Sequence, residues 1–170
     1  AEEYAKIPVK PCYMYALTRE GRKPPMVHVR QSIYSLLEPK KKKGNVVNLL
    51  GYFSPIIDDC ELYDLLHGAG VKTIHEISRC KDYEEYQTMA EANFNLVLHP
   101  EARFAAEDFH NRLKVPYIEL RRLYQIDKIA NQYKAFAAAI GTTFDDAQPR
   151  KEAEEAVERF KEKRPDASFA

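Results

Sequence analysis

Short apolar segments alternate with amphipathic segments from Asn45 onward, and this alternation constrains the fold more than any other feature of the sequence. The first apolar run, residues 46–50, ends at Gly51 and has the composition of a strand buried on both faces. Three further strands are predicted at residues 71–77, 94–98 and 115–120. Strands that alternate with helices are typical of a parallel sheet. We therefore predict an α/β fold, a three-layer sandwich with a short four-stranded parallel sheet of the Rossmann or flavodoxin-like kind.

Helices are predicted between and after these strands. The helix before Gly70 has Leu62, Leu65, Leu66 and Ala69 on one face, with Asp58 or Asp59 as its N-cap and Gly70 in the C′ position. A second segment is predicted to be a polar, exposed helix over residues 82–92. Apolar spacing predicts the others at residues 102–113, 126–140 and 148–164.

The chain is predicted to have three segments. Residues 1–44 form a Pro-rich lead-in, in which Val29, Ile33, Leu36 and Leu37 indicate one short helix and the lysines at 40–43 indicate a solvated linker. Residues 45–144 form the parallel α/β domain, and residues 145–170 form a helix that leads to a missing next domain. The chain starts without Met, so we expect a processed chain or a fragment. It also starts without an apolar signal core, so we expect a cytoplasmic protein that is not secreted.

Composition excludes several classes of protein. The 170 residues include 26 Lys and Arg against 26 Asp and Glu, and 45% of them are hydrophobic, which argues against disorder. The zero net charge gives no support to nucleic-acid binding, and no apolar run approaches the roughly 20 residues of a membrane span. Cys12, Cys60 and Cys80 are scattered without metal-ligand spacing, so they are interpreted as reduced thiols.

The loops that leave the strands are the candidate sites, because open parallel sheets bind ligands at the carboxyl ends of their strands. No GxGxxG or GxxxxGK[ST] motif occurs, so NAD, FAD and ATP binding are not predicted. His99 directly follows a buried strand and is the most informative histidine, although a structural role is the alternative. The full set of cavity-lining or ligand candidates is Gly51, Ser54, Ser78, Arg79, Cys80, His99, Glu101 and Arg122.

Four ordered segments carry a resemblance to a known family. They read KIPVKP, NVVNLLGYFSP, LYDLLHGAGVKTIHEISRCKDYEEYQTMAEANFNLVLHP and FHNRLKVPYIELRRLYQIDKIANQYKAFAAAIG. This succession resembles component 1 of nitrogenase and its relatives, which include cofactor-assembly scaffold subunits and dark-operative protochlorophyllide reductases. The resemblance covers roughly residues 6 to 164 and is strongest over residues 92–140. It extends to the middle one of that family's three similar α/β domains.

The resemblance implies a function for the parent protein. It implies a middle domain that helps to wall a metal-cluster or substrate cavity in a two-component, ATP-driven reductase. The implied partners are the remaining domains of the subunit, a homologous component 1 subunit and an ATP-dependent iron–sulfur reductase, with no nucleic acid and no membrane. Any iron–sulfur or other metal cluster is expected in the full-length parent and none in the isolated domain, for which no turnover is expected.

The resemblance also raises a question about the metal. The position that matches the family's cluster-binding cysteine is His99, within one residue, so an imidazole replaces a thiolate. His99 is the predicted metal ligand or proton donor, with Cys80 as a possible second ligand and with Arg79 and Arg122 holding an anion. The alternatives left open are a scaffold domain for cofactor assembly and a non-catalytic structural or interaction domain with a vestigial pocket.

Overall fold

The computed structural model describes residues 2–12, 14–15 and 23–166. The chain divides into two compact units, Ala1–Arg121 and Arg122–Ala170, which we describe separately. The three predicted segments, 1–44, 45–144 and 145–170, stay predictions. No described helix is both long enough and apolar enough to cross a membrane.

The first unit is built on a four-stranded sheet. The strands are β1 (Lys43–Leu50), β2 (Thr73–His75), β3 (Ala92–Val97) and β4 (Tyr117–Glu119). They lie in the order β2-β1-β3-β4, and all three pairings are parallel. Together with the helices on the sheet, this confirms the predicted three-layer α/β fold. The second and fourth strands are shorter than predicted.

The described helices follow the predicted alternation. In the first unit they are α1 (Glu2–Ala5), α2 (Pro25–Tyr34), α3 (Glu61–Gly68), α4 (Tyr83–Thr88) and α5 (Arg103–Asp108). Short 3-10 turns cover Ile77–Arg79, Met89–Glu91 and Pro100–Ala102, and a π-helical turn, Phe109–Leu113, continues α5. The second unit holds α6 (Ile126–Ala139) and α7 (Ala147–Lys163), each close to its predicted bounds.

The end of α3 follows the prediction and its beginning does not. Gly70 stands in the C′ position with φ +88, where the Val71 N–H donates to Leu66 O and the Gly70 N–H donates to His67 O. These two bonds form a Schellman motif. The N-cap is Cys60, and neither Asp58 nor Asp59 caps the helix. The carboxylate of Asp58 instead pairs with Arg79 at 2.7 Å.

The prediction of a polar, exposed helix over 82–92 is wrong in its exposure. Asp82 does cap α4, where it accepts the Glu85 N–H at 2.8 Å. However, Tyr86 and Gln87 are buried, as are residues 89 and 90. The Gln87 side chain donates to Leu36 O (2.9 Å) and accepts the Glu38 N–H (3.0 Å), so a polar residue is buried because it satisfies neighbouring backbone.

The face of helix α2 that packs against the core differs from the face that the sequence predicted. The residues buried on it are Val27, Arg30 and Tyr34, at spacing i, i+3 and i+7, whereas the predicted Val29 and Ile33 are half-buried. Leu36 and Leu37, which were predicted on this helix, follow its end at Tyr34, and Leu37 is buried. A charged side chain at a core position therefore concealed the true apolar face.

The main core lies between the sheet and helices α2, α4 and α5. Its largest members include Tyr34, Leu50, Met89, Val97 and Phe109, all 1% exposed or less. The rings of Tyr34 and Phe109 lie 5.3 Å apart at a tilted angle. This packing fixes α2 and α5 together over one face of β1 and β3.

A buried asparagine pair aligns the two central strands. Asn48 of β1 lies opposite Asn95 of β3, and its Nδ2 donates to Asn95 Oδ1 at 2.7 Å and to Met89 O at 2.9 Å. A shift of register would leave these amides without partners in the core, which is costly. The pair therefore favours the register that places the ends of β1 and β3 side by side.

The lysine run at residues 40–43 was predicted to be a solvated linker, and the structure confirms this only in part. Lys43 begins β1 and pairs with Glu91. Lys42 Nζ donates to Ala90 O at 2.5 Å, and partial burial lowers the pKa of Lys42. Two of the four lysines therefore hold the start of the central strand against the turn before β3.

The second unit is a pair of helices with its own contacts. Phe144, in the connection, lies 5.7 Å from the ring of Phe136 and 6.2 Å from that of Tyr133. Arg150 of α7 pairs with Asp127 of α6 at 2.5 Å and with Glu154 at 2.9 Å. The Arg150–Asp127 ion pair thus joins α7 to α6, and Phe144 packs the connection against α6.

Candidate ligand site at the carboxyl edge of the sheet

The loops after β1 and β3 meet at the point where the strand order reverses. The chain runs outward from β1 to β2 and then crosses back to β3 on the other side of β1. In open α/β sheets this switch point is where a crevice for ligands forms. Gly51 directly follows β1, and His99 follows β3 after Leu98, so the structure places two of the predicted site residues together.

Gly51 is in very close contact with His99. A Cβ added to Gly51 would lie 2.8 Å from both His99 Cβ and His99 N. Gly51 also has φ +146, a conformation that L side chains rarely adopt. Glycine is therefore required here for two independent reasons, and the backbone of the first loop supports the histidine directly.

Arg30 of α2 holds both loops and was not predicted as a site residue. Its Nε and Nη2 donate to Gly51 O at 3.2 and 2.9 Å, and its Nη1 donates to Glu101 Oε2 at 2.7 Å. Its guanidinium also lies 4.8 Å from the centre of the Phe53 ring. The side chain is 7% exposed, which is rare for arginine without such partners. The signal that could have found it is an arginine on the buried face of a helix.

His99 is oriented by the turn that follows it. The Glu101 N–H donates to His99 Nδ1 at 3.3 Å, so the imidazole caps the 3-10 turn at Pro100–Ala102. The ring of Tyr52 approaches the His99 ring edge-on at 5.7 Å. The His99 side chain is 36% exposed, and its Nε2 makes no hydrogen bond to any residue that the structure describes.

Aromatic and apolar side chains form the rim of this edge. Tyr52 and Phe53 are both about two-fifths exposed, and the predicted Ser54 follows them on the exposed part of the loop. A narrow cleft nearby is lined by Leu49, Leu50, Tyr52, Ile56, Glu76 and Leu98. Within the described residues this cleft has no room for a substrate-sized molecule.

The edge after β2 is organised by the buried carboxylate of Glu76, which is 5% exposed. Glu76 accepts hydrogen bonds from the Tyr63 hydroxyl, from Arg79 Nε at 2.9 Å and from the Ile56 N–H at 2.9 Å. Burial and this carboxylate raise the pKa of Tyr63 to about 12. Arg79 also pairs with Asp58 at 2.7 Å. These bonds fix the loop between β1 and α3, and the role of Arg79 as an anion holder stays a prediction.

The remaining predicted site residues are Ser78, Cys80 and Arg122. Ser78 lies in the 3-10 turn after β2, where its buried hydroxyl has no hydrogen-bond partner among the described residues. Cys80 packs beside the main core, and its thiol approaches Glu76 O at 3.5 Å. Arg122 is exposed and belongs to the second unit. The roles proposed for these three residues stay predictions.

Cys80 is expected to react slowly as a nucleophile. Burial raises the pKa of its thiol, and the carboxylates of Glu85 and Asp82 raise that pKa further. Because the thiolate is the reactive form, we expect the pH midpoint for iodoacetamide alkylation to be higher in the folded chain than in guanidinium chloride. The measurement uses a Cys12→Ser, Cys60→Ser chain, so that only Cys80 reacts. Equal midpoints, or a lower midpoint in the folded chain, would contradict a thiol shielded in this way.

The described residues do not by themselves supply a ligand set for a metal ion. Among residues 2–12, 14–15 and 23–166, no three His, Cys, Asp or Glu side chains converge as a metal site. A neutral imidazole binds a metal through the nitrogen that lacks a proton. The nitrogen of His99 that faces the backbone N–H is the acceptor, which leaves the proton on Nε2.

The fold and its switch-point site define a doubly wound α/β domain, and a family comparison names the family. A profile of the family described as Nitrogenase component 1 type Oxidoreductase matches residues 20–167. The match covers well over half of the chain, so the protein belongs to this family of nitrogenase-like oxidoreductases, which confirms the resemblance. No curated protein sequence matches the chain significantly.

Proposed function

We propose that the carboxyl edge of β1 and β3 forms one wall of a ligand cavity in a nitrogenase-like component 1 subunit. The observation that carries the proposal is the contact of Gly51 with His99 at the switch point of the sheet. Arg30 supports it, because an almost buried arginine spends three donor groups on holding these two loops in place. A histidine that is about one third exposed is thereby held on a rigid support.

The cavity needs walls from outside this chain. The cleft beside the edge is too narrow for a substrate-sized ligand, while Tyr52, Phe53 and Ser54 stay partly or fully exposed around it. In the proposal the missing walls come from the remaining domains of the subunit and from a homologous component 1 subunit. An ATP-dependent iron–sulfur protein would deliver electrons to the assembled reductase. The alternatives are a cofactor-assembly scaffold or a structural domain with a vestigial pocket.

Size-selective labelling tests whether this edge faces an enclosed cavity. Ser54→Cys is introduced into a chain in which Cys12, Cys60 and Cys80 are replaced by serine, and the rates with a small maleimide and a bulky polyethylene glycol maleimide are compared. We expect both reagents to label the isolated chain. In the assembled complete protein, we expect the small reagent to react and the bulky one to be slowed at least about tenfold, because a closed wall excludes it.

Lys41→Cys is the matched control, since Lys41 is exposed and lies beside the start of β1, at the opposite end of the strand. It should react with both reagents in both states. If Ser54→Cys reacts with the bulky reagent in the assembled protein as fast as Lys41→Cys does, the edge is open surface and the cavity proposal is wrong.

A further inference from the structure

His99 is held in one particular protonation arrangement. Its Nδ1 accepts the Glu101 backbone N–H at 3.3 Å, and a backbone N–H can only donate. The Nδ1 of a neutral His99 therefore carries the lone pair, and Nε2 carries the proton. The His99 side chain is 36% exposed, and its Nε2–H makes no bond within the described part of the chain.

The support of this arrangement extends to Arg30. Its Nη1 pairs with the carboxylate of Glu101 at 2.7 Å, and its Nε and Nη2 donate to the carbonyl oxygen of Gly51, the residue in close contact with His99. The Glu101 carboxylate is thus bound to the guanidinium and lies 3.9 Å from His99 Nδ1, beyond hydrogen-bond distance. Arg30 therefore keeps the Glu101 backbone, and not its carboxylate, as the partner of Nδ1.

We propose that His99 donates a hydrogen bond from Nε2–H to an acceptor oxygen or sulfur of the molecule that occupies this edge, and that it does not ligate a metal. Arg30 and Glu101 are positioning residues that select the donor tautomer. The inference rests on the proposed function, since it assigns the chemistry of the same wall. A ligand with an exposed carboxylate, carbonyl or sulfide group matches such a donor, whereas a bare cation does not.

NMR of the 170-residue chain with ¹⁵N-labelled histidine tests the tautomer directly. The spectrum carries its own control, because His67 Nδ1 lies 2.8 Å from Val71 O, which can only accept, so His67 must carry its proton on Nδ1, the opposite tautomer to that of His99. We expect His67 to show the Nδ1–H tautomer and His99 to show Nε2–H with about a tenfold preference, the ratio that one net hydrogen bond supports. Equimolar Zn²⁺ should leave the His99 ring resonances unshifted.

Substitutions identify the positioning role. Arg30→Met should reduce the tautomer preference of His99, because Glu101 and Gly51 lose their anchor. Arg112→Met is the matched control: Arg112 binds Tyr34 O, Leu37 O and Asp108 near the other end of α2, so its loss should leave the His99 tautomer unchanged. His67 reports whether each variant is folded.

An Nδ1–H tautomer at His99, or a Zn²⁺-induced shift of its Nε2, would overturn this inference. Neither result depends on whether the edge is enclosed, so the labelling of Ser54→Cys and the tautomer of His99 can fail separately. A donor tautomer together with free access of the bulky reagent would leave the hydrogen-bond chemistry intact and place it on an open surface.

Discussion

Gly51→Ala destabilises the fold by about 2–6 kcal/mol, because overpacking against a fixed neighbour costs about 1–3 kcal/mol and a strained backbone conformation costs a similar amount. The new Cβ would lie 2.8 Å from two atoms of His99, one of them in the backbone. Neither atom is the end of a flexible side chain, so the contact is relieved only by moving the loops apart. Urea unfolding followed by circular dichroism measures the loss.

Two other glycines separate the cost of the strained backbone conformation from the cost of overpacking. Gly70 has φ +88 and nothing within 4 Å of an added Cβ, so Gly70→Ala carries the backbone strain alone. Gly44 has neither a positive φ nor a close neighbour, and Gly44→Ala should be neutral or slightly stabilising. We expect the Gly44→Ala variant to be the most stable of the three, Gly70→Ala to be less stable and Gly51→Ala to be the least stable. A Gly51→Ala variant as stable as Gly70→Ala would mean that the close contact with His99 does not exist in solution.

Phe109→Ala lowers the free energy of unfolding by about 3–5 kcal/mol, the usual cost of removing a fully buried aromatic side chain. Phe109 is fully buried and stacks at a tilt on Tyr34, so its removal opens a hole where α2 and α5 meet over the sheet. The same unfolding measurement applies. Phe109→Ala should also weaken the hydrogen bonds of Arg30 to Gly51 O and Glu101, since α2 carries both Tyr34 and Arg30.

Ile57→Ala is the control for loss of apolar surface in the same unit. Ile57 is 70% exposed, and its truncation should change stability by less than about 0.5 kcal/mol. If Phe109→Ala were as mild as Ile57→Ala, α5 would not be packed on the sheet as described. A cost confined to Phe109 supports the core between α2, α5 and the strands.

Periodicity was sufficient to predict the fold class and insufficient to predict the ends of two strands. The alternation of apolar runs with helical segments requires a parallel sheet, and that part depends only on local patterns. In β2 and β4 only three residues each pair with a neighbour, although the apolar runs are longer. β2 stops pairing opposite Asn48, although β1 continues to Leu50, so the end of a strand depends on where the chain turns away from the sheet, which no local pattern contains.

The site was predictable in outline. The loops at Gly51 and His99 were expected at one edge, because parallel strands share a carboxyl edge, but their direct contact depends on the order β2-β1-β3-β4. Strand order is a property of long-range pairing. Arg30 escaped prediction for a related reason: its partner Glu101 is 71 positions away in the sequence. A charged residue in the lead-in gives no local sign of such a partner.

The contacts that Arg30 makes from α2 determine how far the N-terminus of this protein can be truncated without loss of the site. A chain that began at Asn45 would keep nearly all of the four strands and would still read as a complete α/β domain. It would nevertheless lose the guanidinium that binds Gly51 O and Glu101, together with Tyr34, the stacking partner of Phe109. Expression boundaries, domain exchanges and fusions that preserve the site should therefore be drawn before Pro24.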